Sequence, residues 1–427
     1  MMKKVGIYVF TDMVKQRLTK KREGFFDGQN YIGLRYIVSQ INKKKYNITY
    51  VSKDTINTVD FVLVSLTSYY DILNLINELY GKKRTCKIIA GGAGLSNVDI
   101  LRDIVDVAVV GRGENIINQI LDGQTEVPGV WYRDTNYNFK SKIAIRELED
   151  YISIDDPILG QYHEQSIGCK RKCYFCEYSW KNKYKTKTDI YHSGVADRET
   201  LFEEVDWTAY KNKDLVTAVD GVDEKTRKII NKPILNQTII NKINEIYEQP
   251  KDYLSLKLYC LLGYPFESDF HPEELLDTIM SCCRKHKNRL NIVIVSPHFM
   301  PMPFTPMECE PINPINFREK IKRYDFTKYQ KGNIKVYWPW SLASSPINAL
   351  EATILHRGTK DDAPMVKKIL CSSRYQSLKT QSKIDVLYKA FGRLLGRVDS
   401  VADYIERVYP TDEAKRKYQK AVKLYGN

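Results

Sequence analysis

The sequence predicts an α/β protein with a Rossmann-like N-terminal sheet, a second α/β region and a mostly helical C-terminal region. Three observations carry that prediction. Short apolar runs alternate with amphipathic helical patterns through residues 1–150. Glycine clusters follow directly on several of those runs, as they do at the carboxyl edge of a parallel sheet. A second alternation begins near residue 164, and 427 residues are too many for one ordinary domain. The expected divisions are 1–150, 151–312 and 313–427.

In chain order, residues 5–10 form a first apolar strand. Residues 29–42 carry Ile32, Leu34, Ile37, Val38 and Ile41 at helical spacing. Strands are expected at 47–51 and 61–66, followed by a helix containing Ile72, Leu73, Leu75, Ile76 and Leu79. The strand 87–90 runs into Gly91-Gly92-Ala93-Gly94, and 105–110 runs into Gly111-Arg112-Gly113-Glu114. Continuously apolar strands of this kind belong to a parallel sheet covered on both faces. The Gly91–Gly94 turn is no GxGxxG fingerprint, and by itself it equally suits a bare strand-to-helix connection. A short strand at 129–132 precedes a polar linker. Further strands are expected at 215–219, 255–262 and 289–295, with helices at 224–230, 236–247 and 273–286. The remainder shows helical patterns at 348–356, 363–370, 382–394 and 412–424.

Bulk properties narrow the function classes. A hydrophobic fraction of 43% supports packed cores. No apolar run approaches the ~18 residues of a membrane span, and the start of the chain lacks a signal-peptide pattern. A soluble, cytoplasmic protein is expected. The formal net charge of +14 suits a polyanionic partner such as a nucleic acid. A Lys-, Asn-, Ile- and Tyr-rich composition accounts for it equally well. Nine cysteines, an odd number, argue against a disulfide framework.

Three of those cysteines cluster in Gly168-Cys169-Lys170-Arg171-Lys172-Cys173-Tyr174-Phe175-Cys176. Thiolates suit iron–sulfur clusters or zinc. A structural zinc site needs four protein ligands, and neither His163 nor His192 stands at zinc-finger spacing. Three thiolates on a four-iron cluster leave one iron open to a substrate. CxxxCxxC with an aromatic residue before the last cysteine resembles the signature loop of radical S-adenosylmethionine (SAM) enzymes. The resemblance implies a [4Fe-4S] cluster on Cys169, Cys173 and Cys176. SAM would chelate the open iron and be cleaved reductively to methionine and a 5′-deoxyadenosyl radical. Phe175 matches the aromatic near the adenine.

The resemblance extends over about 1–370, towards radical SAM proteins with an N-terminal cobalamin-binding domain. Asp220-Gly221 through Arg227, then Asn231-Lys232-Pro233, are similar to one family segment, with departures at Asp223, Lys225 and Thr226. Leu262-Gly263-Tyr264-Pro265-Phe266-Glu267 and Ser296-Pro297 through Pro306 resemble two others. By this likeness the N-terminal sheet is a cobalamin-binding-type domain, the second α/β region is a partial (β/α) barrel, and Asp220 and Gly221 hold the SAM ribose or methionyl end. Gly263 and Pro265 shape the wall near the adenine, and Arg227 pairs with the SAM carboxylate. Cobalamin would lie over Ser65, Ser68, Gly91, Gly92, Gly113 and Glu114, unless Tyr69 and Tyr70 fill that space. An external electron donor such as flavodoxin or ferredoxin is implied.

Two departures stand out. No GGEP-like segment follows the cysteine loop, and His192-Ser193-Gly194 is a poor substitute. No histidine occurs in 1–150, which excludes a lower axial histidine on any bound cobalamin. The expected activity is modification of an unactivated carbon, with cobalamin-dependent methylation as the leading version. The alternatives are a cobalamin-independent radical SAM enzyme acting on nucleic acid or a small metabolite, and a non-catalytic metal-binding module on nucleic acid.

Overall fold

The computed structural model describes residues 2–10, 32–133, 153–156, 160–163, 166–181, 184–186, 190–191, 204–205, 207, 214–249, 255–282, 289–330, 333–339, 345–398, 416, 419–420 and 423. The N-terminal part is built from β1 (Lys3–Tyr8), α1 (Ile32–Gln40), β2 (Tyr46–Val51), β3 (Phe61–Ser65), α2 (Tyr69–Leu79), β4 (Lys87–Gly91), β5 (Val107–Val109), α3 (Ile117–Leu121) and β6 (Val130–Tyr132). They form one six-stranded sheet in the order β2-β1-β3-β4-β5-β6. The first five strands are parallel, and β6 closes the edge antiparallel to β5.

Both faces of this sheet are buried, as its unbroken apolar strands require. One face packs Val5, Ile7, Leu63, Ile89 and Val109 with residues of α1 and α3. The other packs Val62, Val64, Ile88 and Ala90 against α2. Helix α2 starts cleanly because Ser68 and Asp71 form a capping box at its first turn. The Asp71 carboxylate accepts the Thr67 and Ser68 N–H groups at 2.7 and 2.9 Å.

Three short pairings follow: β7 (Ser153–Asp156) with β8 (Gly160–His163), β9 (Ser166–Ile167) with β10 (Lys185–Thr186), and β11 (Ile190–Tyr191) with β12 (Glu204–Val205). Helix α4 (Glu177–Lys181) leaves the cysteine loop. Then come β13 (Asp214–Ala218), α5 (Glu224–Ile229), α6 (Asn236–Tyr247), β14 (Ser255–Tyr259), α7 (Glu273–Ser281), β15 (Leu290–Val295), α8 (Phe317–Arg323) and β16 (Ile334–Tyr337). The strands make a four-stranded parallel sheet in sequence order. Leu256, Leu258, Ile292 and Ile294 face a core shared with Ile239, Ile243, Leu275 and Ile279 of the crossover helices. Strand β16 is missing from the sequence reading and carries this sheet past residue 312.

The C-terminal helices α9 (Pro346–Arg357), α10 (Ala363–Leu370), α11 (Ser373–Ser377) and α12 (Thr380–Leu395) return to the first sheet. Leu350, Ile354, Val366, Leu387 and Phe391 share one core with Val62, Ile72 and Leu75. Helix α9 is therefore buried on nearly every side. Asn97 ties the junction by donating to the carbonyls of Leu355 and Gly358 at 3.0 and 2.7 Å. The helix expected at 412–424 and the segment His192-Ser193-Gly194 lie outside the described residues, apart from residues 416, 419, 420 and 423, which are helical. No described helix is long and apolar enough to cross a membrane.

Candidate functional site

The cysteine loop lies between the two sheets and is fastened to both. Gly168 opens it with φ +71°, a left-handed backbone that glycine adopts without a Cβ penalty. On the side of the second sheet, Tyr174 N–H donates to the Ile230 carbonyl at 3.0 Å, and Met307 N–H donates to the Tyr174 carbonyl at 3.1 Å. The Asn231 amide donates to the Lys172 carbonyl at 2.8 Å. Trp180, fully buried, donates its indole N–H to the Cys173 carbonyl at 2.9 Å. Tyr174, Trp180, Ile230, Tyr264, Phe299 and Met307 form a separate apolar cluster under the loop. Phe175 is packed against it, 6.1 Å from Tyr264 edge to face. On the side of the first sheet, Ser96 donates to Glu177 at 2.7 Å.

All three cysteines are unbridged; Cys173 is buried and the other two are partly covered. Arg171 N–H lies 3.4 Å from the Cys169 sulfur. Burial pushes the Cys176 thiol upward, while the backbone N–H groups of Ser179 and Tyr178 oppose it. Thiols on an irregular loop, met by backbone donors, are a donor set that suits iron–sulfur ligation. Among the described residues, no three His, Cys, Asp or Glu side chains converge into a metal-holding group. The thiols therefore share one loop without meeting at one point.

Asp220 stands at the carboxyl end of β13 with φ +55° and is buried. It makes a 2.7 Å ion pair with Lys232, and its negative charge is felt by the Cys176 thiol. Its carbonyl accepts the Tyr264 hydroxyl at 2.8 Å. Gly221 is small for a reason: a Cβ there would press on the Arg227 stem and on Thr226. Arg227 itself is completely buried. Its guanidinium donates to the Ile234 and Gly221 carbonyls at 2.7 and 3.1 Å and to the Asn236 side chain. These partners replace the SAM carboxylate that the family likeness assigns to it, so the side chain holds its own loop rather than presenting a cation to a ligand.

Gly263 has φ +87°, and a Cβ there would overlap the His298 ring. Its N–H and that of Tyr264 donate to Glu267 at 2.5 and 2.9 Å. Pro265 is half-buried in the same turn, and Phe266 stacks on Tyr264 at 5.3 Å. His298 donates from Nε2 to the Asn313 carbonyl at 2.9 Å.

Burial drives the His298 imidazole down to about 4, against the opposing pull of the Asn313 carbonyl. The unfolded chain, with a value near ~6.5, takes the proton first. His298 therefore contributes its full stability above that pH and loses it as pH falls toward about 4. Glu267 has the opposite slope, because burial raises it to about 7. Comparing His298→Gln with the parent in urea at pH ~7.5 and ~5 isolates the histidine term. The gap in stability is expected to shrink by about 2 kcal/mol at the lower pH. An unchanged gap would place the acid sensitivity elsewhere.

The carboxyl edge of the first sheet holds a cavity of about 480 Å³. Ser65, Gly91, Gly92, Gly113 and Glu114 line it, and Ser68 does not. Ser68 is turned into the capping box of α2. Tyr69 and Tyr70 belong to the core on the opposite face and leave the cavity open. Two residues absent from the sequence reading, Glu177 and Tyr178 of α4, form part of its wall. The Tyr178 hydroxyl accepts the Gly168 N–H at 3.1 Å. One side chain thus touches both the cavity and the backbone that leads into Cys169. Only the position of Glu177-Tyr178 directly after Cys176 signals this in the sequence.

No protein-family model matches the chain. No curated protein matches it in sequence. Among solved structures it is similar to the apo form of OxsB, a cobalamin-dependent S-adenosylmethionine radical enzyme, at 11% identity and a TM-score of 0.28. That comparison covers 100% of this chain and 61% of the other, so the chain spans less than two thirds of it.

Proposed function

We propose that the chain is a radical SAM enzyme that uses a four-iron cluster on Cys169, Cys173 and Cys176. The observation that carries this reading is three unbridged thiols on one loop, which is hydrogen-bonded to Ile230 and Met307 on the side of the second sheet and leads into Glu177 and Tyr178 at the carboxyl-edge cavity of the first. Carboxyl edges are where open α/β sheets bind ligands. Bound there, the cluster would supply the electron that cleaves SAM.

The chain's own residues then bind, orient and shield. Phe175 offers an aromatic face beside the last cysteine. Asp220, held by Lys232, presents backbone and carboxylate next to Cys176. The buried aromatic cluster of Trp180, Tyr264 and Phe299 keeps water away from the loop. The second sheet, with helices against one face, serves as the partial barrel around SAM. An external one-electron donor delivers the reducing equivalent.

The cavity beside Tyr178 favours a further element, cobalamin-dependent methylation. Its glycine-rich floor and largely apolar wall suit one edge of a large planar ligand. Any corrin there takes no lower axial histidine from 1–150, where none occurs. Retention of hydroxocobalamin through desalting separates this version from a cobalamin-independent enzyme.

The decisive experiment is anaerobic reconstitution with iron and sulfide, reduction in the presence of SAM, and assay of 5′-deoxyadenosine. The product is expected without any added substrate. A loaded, reduced cluster that binds SAM and yields only S-adenosylhomocysteine would sink the homolytic reading.

A further inference from the structure

We propose that the amino edge of the first sheet is a binding groove for a single-stranded nucleic-acid segment, with Lys3, Lys4 and Lys87 on its phosphates. This edge is opposite the cysteine loop and holds none of the residues given a role in the activity proposed above. It carries a groove of about 660 Å³.

The strand register builds the groove. Val5 pairs with Phe61, Phe61 with Lys87, Ile89 with Val107 and Val107 with Tyr132. Side chains alternate along a strand, so Lys3, Phe61, Lys87 and Tyr132 emerge on the same face as Val5 and Ile89. Neighbouring strands lie ~4.8 Å apart and Lys3 stands two residues before Val5, which puts the two lysines ~12 Å apart with Phe61 between them. The Lys3 ammonium sits 5.5 Å from the Phe61 ring centre. Phe61, half-buried, with the edge of the buried Tyr132 beside it, therefore provides an aromatic floor under a cationic rim.

Positive charge exceeds negative here, with Asp122 beside the groove also facing Lys3. Asp60 is the carboxylate among the groove-lining residues, and it already accepts the Lys4 N–H at 2.7 Å. Nearby cations are paired elsewhere: Arg84 with Asp106 and Lys45 with Asp122, both at 2.9 Å. None of the ion pairs among the described residues uses Lys3, Lys4 or Lys87. Exposed Lys43 and Lys44 before β2, and Lys82 and Lys83 before β4, extend the same edge. A positive groove floored by aromatic rings is the arrangement that takes single strands without regard to sequence.

Distance sets the kind of ligand. Strands of five or six residues separate this groove from the carboxyl edge. At ~3.3 Å per residue that is ~17–20 Å. A ligand that engages the groove while reaching the cysteine loop must be a polymer, not a small metabolite.

The test uses the full-length chain and a fluorescein-labelled single-stranded RNA of ~15 nucleotides, followed by anisotropy over a range of salt. The double variant Lys3→Gln, Lys87→Gln is expected to bind at least ~10-fold more weakly near ~0.1 M salt. The slope of log K against log salt should flatten by about 1.4, two lost phosphate contacts at ~0.7 each. Lys379→Gln with Lys389→Gln, an equal charge change on the C-terminal helices, should leave binding intact. All four lysines are exposed, so melting curves are expected to be unaltered. The proposal is overturned if the parent fails to bind, if both double variants lose affinity equally, or if a nucleoside monophosphate at millimolar concentration displaces the RNA. The last outcome would assign the groove to a small phosphate ligand.

Discussion

Replacing Cys169, Cys173 or Cys176 with Ala, one at a time, is expected to abolish the four-iron chromophore and 5′-deoxyadenosine production together. In the proposed cluster each thiolate would hold a different iron, and no fourth cysteine or histidine stands close in the loop to take its place. Iron and sulfide content and visible absorption after anaerobic reconstitution measure the first effect, and product assay measures the second. Stability should hardly move. Cys169 and Cys176 sit in irregular backbone, and trimming the buried Cys173 removes about one methylene's worth of burial, ~1 kcal/mol. The corresponding changes at Cys86, Cys260, Cys282, Cys309 and Cys371 should retain cluster and activity, since these residues lie outside the loop, in turns and at the ends of strands and helices. A zinc module gives a different pattern, with tightly held metal and neither sulfide nor visible absorption. A triple variant that still assembles a complete cluster would remove the assignment altogether.

How much of this was legible in the sequence differs by element. The two sheets were readable because their strands are apolar runs with the turn glycines in place, from 61–66 into 87–90 and Gly91-Gly92. The antiparallel edge β6 was visible as a strand, but orientation is not encoded in three residues, Val130-Trp131-Tyr132. Strand β16 was overlooked because Ile334-Lys335-Val336-Tyr337 alternates over only four residues. The return of α9 to the first sheet was also invisible. A helix buried on all sides shows the same apolar content whichever core receives it. At the site, the thiol spacing was explicit because ligation demands it. Tyr178 was not, because its link to Gly168 and to the cavity depends on how α4 leaves the loop. Ser68 was misplaced for a local reason: a serine before a helix with an acid three residues later is a capping box first.

The role of Arg227 is where sequence likeness and structure part most sharply, and Arg227→Met tests the difference. The methionine keeps most of the stem volume and removes the guanidinium. That leaves the Ile234 and Gly221 carbonyls and the Asn236 side chain without their donor, in a place where Arg227 is 0% exposed. It also removes the cation facing Glu274 at 3.7 Å, although that carboxylate is exposed enough for water to compensate. Burial works against the charged guanidinium, and its donated hydrogen bonds offset that cost. Losing a hydrogen-bonded buried cation is expected to cost about 3–5 kcal/mol, read as a fall in the urea midpoint with the slope unchanged. Arg227→Lys should recover little of it, because one ammonium cannot reach carbonyls on both sides as the planar fork does. If the side chain instead bound a SAM carboxylate, Arg227→Met would unfold at the parental midpoint and weaken only SAM binding. The predicted order is the reverse: a large loss of stability first, with SAM affinity of the folded fraction changed less.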